Sequence, residues 1–203
     1  MIIPIDISHV YRPGVSREER DCVMRALQDC LVSCNRAWSR RHGTPAANLT
    51  RSRVCDGVAE LNMDHVFKPD SHETDDSQAL YAILECMVTI NRDFLSRYRC
   101  APLYSCGARY ARTDVWRPIP AIIQTSKADC KSLGPARCAE LREDGTPATM
   151  MHRWAKRDDE DLYRPLSARK DGTDFHILIM VNGEAFEDPS KILGMTAANA
   201  AEY

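Results

Sequence analysis

One stretch limits the possible folds more than any other. Phe175 to Val181 is an apolar run broken only by His176, and Asn182-Gly183 follows it directly. An apolar run of that length reads as a strand, and Asn-Gly is the strongest short hairpin signal. The chain should therefore turn back through Glu184 to Glu187 and form an antiparallel sheet. Two other segments cannot be strands. Ser16-Arg17-Glu18-Glu19 has the capping-box pattern, and Val23, Leu27, Cys30, Leu31, Cys34 and Trp38 follow at spacings of three and four. That spacing predicts an amphipathic helix over 17–41. A second helix is predicted from Ser77 to Tyr98, with Leu80, Ile83, Leu84, Met87, Val88, Phe94 and Leu95 inward. Long helices beside an antiparallel hairpin imply an α+β fold.

The remaining segments are shorter. Residues 1–15, with Pro4 and Pro13, read as an extended arm. Residues 42–75 are mixed, with turn material at Gly43-Thr44-Pro45 and Lys68-Pro69-Asp70-Ser71 and room for a short helix near Val58–Leu61. Pro118 and Pro120 rule out a helix continuing through Trp116 to Gln124. Asp129 is placed to cap a helix that starts at Cys130 and runs to about Asp144, with Gly145 just past its end. Ala148 to Ala155 reads as a strand, 156–173 as a charged loop, and the tail after Met195 as Ala-rich. The pattern divides into a helical N-terminal half, 1–99, packed on a core, 100–203.

Bulk properties exclude several functions. Net charge is -2, so no overall positive potential points to nucleic acid or to an anionic membrane. The clusters Arg36, Arg40, Arg41 and Arg51, Arg53 read as solvated faces. No apolar run approaches the roughly 20 residues of a membrane span, and the first residues lack the pattern of a signal peptide. Nine cysteines are present, yet no Cys-x-x-Cys pair occurs. Cys30 and Cys34, with His42 nearby, read as buried small hydrophobes before they read as metal ligands. No cofactor and no metal is expected.

Chemistry concentrates at Cys130. A thiol attacks as thiolate, and the first turn of a helix offers unpaired N–H groups that lower a cysteine pKa. Asp129 opposes this with its own charge, so a histidine is needed to take the proton. His176 lies in the apolar strand and Asp188 just after the return strand. Cysteine nucleophile, histidine acid–base and an orienting aspartate make an acyl-transfer site. The hairpin decides whether the last two meet. A two-residue turn, Asn182-Gly183, places Ile177 opposite Asp188 and turns His176 away from it. A three-residue loop, Val181-Asn182-Gly183, places His176 opposite Asp188 on one face. A working site demands an odd-length loop, and the three-residue loop is the expectation here. The backbone N–H of Cys130 and the side chain of Gln124 are candidate oxyanion donors. His152 is a second candidate base without an evident carboxylate. Trp116 and Trp154 are read as core packing before groove walls.

The runs Pro102-Leu103-Tyr104, Gly107-Ala108-Arg109-Tyr110, Trp116-Arg117-Pro118-Ile119-Pro120, Ala128-Asp129-Cys130-Lys131-Ser132-Leu133 and Ala139-Glu140-Leu141-Arg142 resemble the transglutaminase-like cysteine proteins of tailed bacteriophages. Phe175-His176-Ile177-Leu178-Ile179 and Glu187-Asp188-Pro189-Ser190 through Leu193-Gly194-Met195 are similar to that family's ending. The likeness spans roughly residues 100–196. It implies a papain-like core, with a nucleophile helix packed on an antiparallel sheet, and puts the family's Cys, His and Asp on Cys130, His176 and Asp188. It implies hydrolysis or transamidation of a peptide-like amide, as a cysteine peptidase or amidohydrolase. It also implies a phage gene of the structural module, made in host cytoplasm, with other virion proteins as partners. The alternative function is a non-enzymatic neck, collar or tail component on the same scaffold, stabilised by disulfides. Lys131 and Gly134-Pro135 depart from the family's nucleophile turn.

Overall fold

The computed structural model describes residues 2–42, 53–55, 57–62, 73–154 and 175–196. The turns expected at 43–45 and 68–71, the loop 156–173 and most of the tail lie outside the described residues. Mixed helix and strand make this an α+β protein.

The extended first residues form a sheet strand. Strand β1 (Ile2–Asp6) pairs antiparallel with β3 (Val58–Asn62), which also pairs with β2 (Arg53–Cys55), in the order β1-β3-β2. Ile3 and Ile5 alternate inward and are buried, as is Ile7 just beyond the strand. The short helix expected near Val58–Leu61 is therefore a strand. Ala59 and Leu61 are both fully buried, a period of two that four residues alone disguise. A 3-10 turn over Ser8–Tyr11 leads to helix α1 (Arg17–His42). The Ser16 hydroxyl accepts from the Glu19 N–H at 3.2 Å, so the capping half of the box forms. Glu19 does not reach back; its carboxylate accepts from the Tyr98 hydroxyl at 3.0 Å.

Helix α2 (Glu73–Arg97) packs along α1 and begins one turn earlier than its apolar stripe suggests. After it come β4 (Arg109–Tyr110), α3 (Ile119–Thr125), β5 (Lys127–Ala128) and α4 (Cys130–Glu143). The prolines start α3 instead of excluding helix: Pro118 sits at its N-cap position, and Pro120 lies in the first turn, where a missing N–H costs nothing. Buried Asn91 of α2 accepts the Ile119 N–H at 2.7 Å and satisfies that helix end.

Helix α4 is the hub. Its residues Leu133, Ala136, Cys138 and Ala139 are fully buried, and it touches α2, the strands β6 (Ala148–Trp154) and β7 (Phe175–Val181), and helix α5 (Pro189–Ile192). β6, β7 and β8 (Ala185–Glu187) form an antiparallel sheet in that order. Gly145, at φ 79°, ends α4 as expected, with the Thr146 N–H returning to the Leu141 carbonyl at 2.8 Å. One apolar cluster runs from Ile3 and Leu27 through Leu84 to Cys138 and Ile179. The Asp6 N–H also bonds the Trp116 carbonyl at 2.8 Å. Described residues on both sides of residue 99 thus belong to one apolar cluster, as packing of the helical half on the core implies. Among the described residues, no helix is long and apolar enough to cross a membrane.

Candidate active site

Three elements converge at the start of α4. Cys130 is the first helical residue, and Asp129 takes the extended N-cap conformation. The Asp129 side chain does not cap the helix. Its Oδ2 accepts from the Lys131 ammonium and, at 3.3 Å, from the Thr113 N–H. Its Oδ1 is buried without a hydrogen-bond partner. Burial raises the Asp129 pKa, against the pull of Lys131 and the Thr113 N–H.

The close approach of α4 to β7 places the thiol. A Cβ on Gly134 would lie 2.5 Å from Cγ2 of Ile177, so only glycine lets the helix come this near the strand. Four residues earlier on the same helix face, Cys130 Sγ lies 3.8 Å from the Phe175 carbonyl, to which its S–H donates. The sulfur also meets the Ile177 N–H. Both groups belong to the edge of β7 that β8 does not cover, because β8 pairing begins only at Ile179. The sulfur thus sits beside the strand, level with His176.

The thiol is not poised as thiolate. Cys130 is only 6% exposed. Burial raises its pKa, the Asp129 charge adds to that, and Lys131 and the Ile177 N–H oppose it, for a value of about 12. The expected lowering at the helix start is overturned, because desolvation outweighs the helix end.

The hairpin has an odd-length loop, but a different one from that expected. Pairing resumes at Val181 with Ala185, so the loop is Asn182-Gly183-Glu184. Asn182 and Gly183 both take positive φ, 53° and 75°, and the Glu184 N–H bonds the Val181 carbonyl at 3.1 Å. The register continues to place Asp188 opposite Leu178, not His176. Parity is preserved, so His176 and Asp188 share a face as diagonal neighbours. Their side chains close the gap: His176 Nε2 lies 3.0 Å from Asp188 Oδ2.

Asp188 is held for this role. It caps α5, and its Oδ1 accepts from the N–H groups of Ser190 at 3.1 Å and Lys191 at 3.2 Å. Burial works against its charge, but the His176 hydrogen bond and the Lys191 N–H and ammonium prevail and lower its pKa. An ionised carboxylate only accepts, so a neutral His176 ring in this contact carries its proton on Nε2 and its lone pair on Nδ1.

Other expected residues lie elsewhere. Gln124 is exposed on α3, and its Oε1 accepts from Arg12. It makes no hydrogen bond to Cys130 or His176 among those of the described residues. His152 Nε2 lies 3.0 Å from the Ser77 hydroxyl, in the strand on the far side of β7. Trp116 is buried in the core cluster, its ring centroid 6.3 Å from that of Phe175. The side chains of Trp154 and His42 lie outside the described residues. Among the described residues no His, Cys, Asp and Glu group could hold a metal ion.

Reading the sequence missed Lys131, Thr113, Arg137 and Glu187 as supports. Their signal is weak, because each is an ordinary polar residue whose partner lies distant in sequence or across a turn. Comparison with family models, with curated proteins and with solved structures returns no match.

Proposed function

We propose that this chain is a transglutaminase-like thiol amidohydrolase on a papain-like core, acting on a peptide-like amide. The observation that carries this is the 3.0 Å His176–Asp188 contact on β7, with the Cys130 sulfur against the backbone on either side of His176. Cys130 Sγ forms the bond to the acyl carbon while its proton passes to His176 Nδ1. The C–N bond then breaks as His176 returns that proton to the leaving amine. Water hydrolyses the thioester by the same relay, or a second amine takes the acyl group. The Cys130 N–H, at the start of α4, donates to the developing oxyanion.

The test is a peptidyl vinyl sulfone, read by intact mass and peptide mapping. A single adduct at Cys130 is expected, absent in Cys130→Ser and slowed on the order of 10²-fold or more in His176→Ala. Adducts confined to the partly exposed Cys22, Cys100 or Cys106 would sink the reading. The burial of Cys130 favours a second reading, a structural virion component on a scaffold that no longer reacts. That reading expects no Cys130 adduct, and assembly that survives Cys130→Ser.

A further inference from the structure

We propose that Arg137 is a positioning residue for the triad, acting through Glu187 to set Asp188 and hence the proton position on His176. The proposal rests on the triad reading above for its chemistry, but its geometry stands apart from it.

Strand alternation supplies the reason. Glu187 and Asp188 are consecutive and point to opposite faces of the β6-β7-β8 sheet. Asp188 meets His176 on one face. Glu187, opposite Ile179, points to the face covered by α4. There Arg137 Nε donates to Glu187 Oε1 at 2.8 Å, and the Tyr104 hydroxyl donates to the same oxygen. Arg137 Nη1 donates to Glu140 Oε2 at 3.1 Å, and Glu140 Oε1 accepts the Leu103 N–H at 2.6 Å. The guanidinium lies 5.0 Å from the centroid of the Tyr104 ring. The side chains of Arg137, Glu140 and Glu187 are only 21%, 10% and 22% exposed.

The nucleophile helix is thereby fastened to the strand end one residue before the acid. Without it, β8 is held to β7 by only three residue pairs beyond the hairpin turn, and it ends at Glu187. Asp188 lies immediately outside that ladder. A small rotation of the strand end would break the contact to Nε2, since a hydrogen bond weakens steeply with angle.

Helix α4 also provides a control. Arg142 makes a bidentate pair with Glu85 at 2.7 and 2.9 Å, with side chains 24% and 30% exposed. That pair ties α4 to α2 and does not touch β8. Arg137→Met removes the ion pairs to Glu187 and Glu140, and Arg142→Met removes the pair to Glu85 and a 2.8 Å bond to the Ala148 carbonyl; both loosen α4, but only the first takes a contact from β8 and should reach His176.

The experiment is 15N NMR of the histidine ring nitrogens, with His176 assigned by its loss in His176→Gln, alongside vinyl sulfone labelling. Wild type and Arg142→Met should show one tautomer at His176, protonated at Nε2. Arg137→Met should show shifts averaged between tautomers and a Cys130 labelling rate constant at least tenfold lower, with probe affinity unchanged. Tyr104→Phe, which deletes one hydroxyl, covers the case in which Arg137→Met does not fold, and should move both readouts the same way by less. Wild-type tautomer shifts in folded Arg137→Met, or in Tyr104→Phe if only that variant folds, overturn the proposal. Tautomer averaging in a chain whose wild type never labels at Cys130 would leave the positioning intact and remove the enzymatic reading. Labelling at Cys130 with a tautomer indifferent to Arg137 would do the reverse.

Discussion

Gly134→Ala is the sharpest perturbation of this arrangement. In an ordinary helix the change should stabilise, by about 1 kcal/mol from propensity alone. Here the new methyl meets Ile177 Cγ2 at 2.5 Å and Cβ at 3.3 Å. Ile177 is fully buried and β-branched, on the central strand of its sheet, so it cannot swing clear at small cost. Overpacking of that kind typically costs roughly 1–3 kcal/mol. Subtracting the propensity gain leaves a net destabilisation of about 1 kcal/mol, up to about 2. Urea denaturation of Gly134→Ala, Ile177→Ala and the double variant measures this directly. Ile177→Ala alone should cost roughly 2–5 kcal/mol through its cavity. In the double variant the alanine at 134 should become neutral or stabilising, a coupling of about 1–2 kcal/mol. The single variant should also push α4 off β7, slowing vinyl sulfone labelling of Cys130. A Gly134→Ala protein more stable than wild type, with no coupling to position 177, would refute the argument that this glycine sets the helix–strand distance.

Other outcomes follow from the same geometry. Asp129→Asn removes the charge that adds to burial at Cys130, so the pH midpoint of iodoacetamide alkylation should fall below about 12; an unchanged or higher midpoint counts against that electrostatic role. The folded-state pKa of Asp188 is depressed, so its stabilisation is complete above the ordinary carboxylate pKa and is lost as pH falls through the folded value. Asp188→Asn should therefore flatten the acid limb of the stability–pH curve below about pH 4, measured by thermal melts, while the parent loses stability there. Asn182 takes φ 53°, so Asn182→Ala should cost about 1 kcal/mol and Asn182→Gly little, by denaturant unfolding.

What could be read from sequence followed from how local each signal is. Helix α1 and the strand Phe175–Val181 declare themselves by period and by their flanking residues, and both form where expected. Gly145 terminates α4 by a local backbone demand. β1 and β3 stayed hidden because their evidence is mutual: Ile3 and Leu61 face each other in the ladder, 58 residues apart, and neither run is long enough to show its period alone. The site divides in the same way. A His176–Asp188 pair on one face requires an odd loop, and the loop is odd, but which three residues it takes depends on Ala185 pairing with Val181. The Cys130 thiol shows the limit most clearly. Its place in the first turn is local and suggests activation, whereas its burial comes from α4 being enclosed on several sides, which only the assembled core determines.

That burial bears on how such a site would react. With a thiol pKa of about 12, roughly one sulfur in 10⁵ is ionised at pH 7. A preformed thiolate–imidazolium pair therefore does not describe the resting state, in which the S–H donates to the Phe175 carbonyl. In the proposed mechanism the proton would leave as the carbon–sulfur bond forms, with Nδ1 of His176 as its acceptor. General-base attack of that kind places a proton in flight in the transition state, whereas a stored thiolate does not. Vinyl sulfone labelling of Cys130 in deuterium oxide should accordingly be slower than in water at matched protonation, and the difference should vanish in His176→Ala, where no base takes the proton. An inverse isotope effect in the wild type would mean that ionisation precedes attack. The buried, neutral thiol would then be a state the protein leaves before reacting.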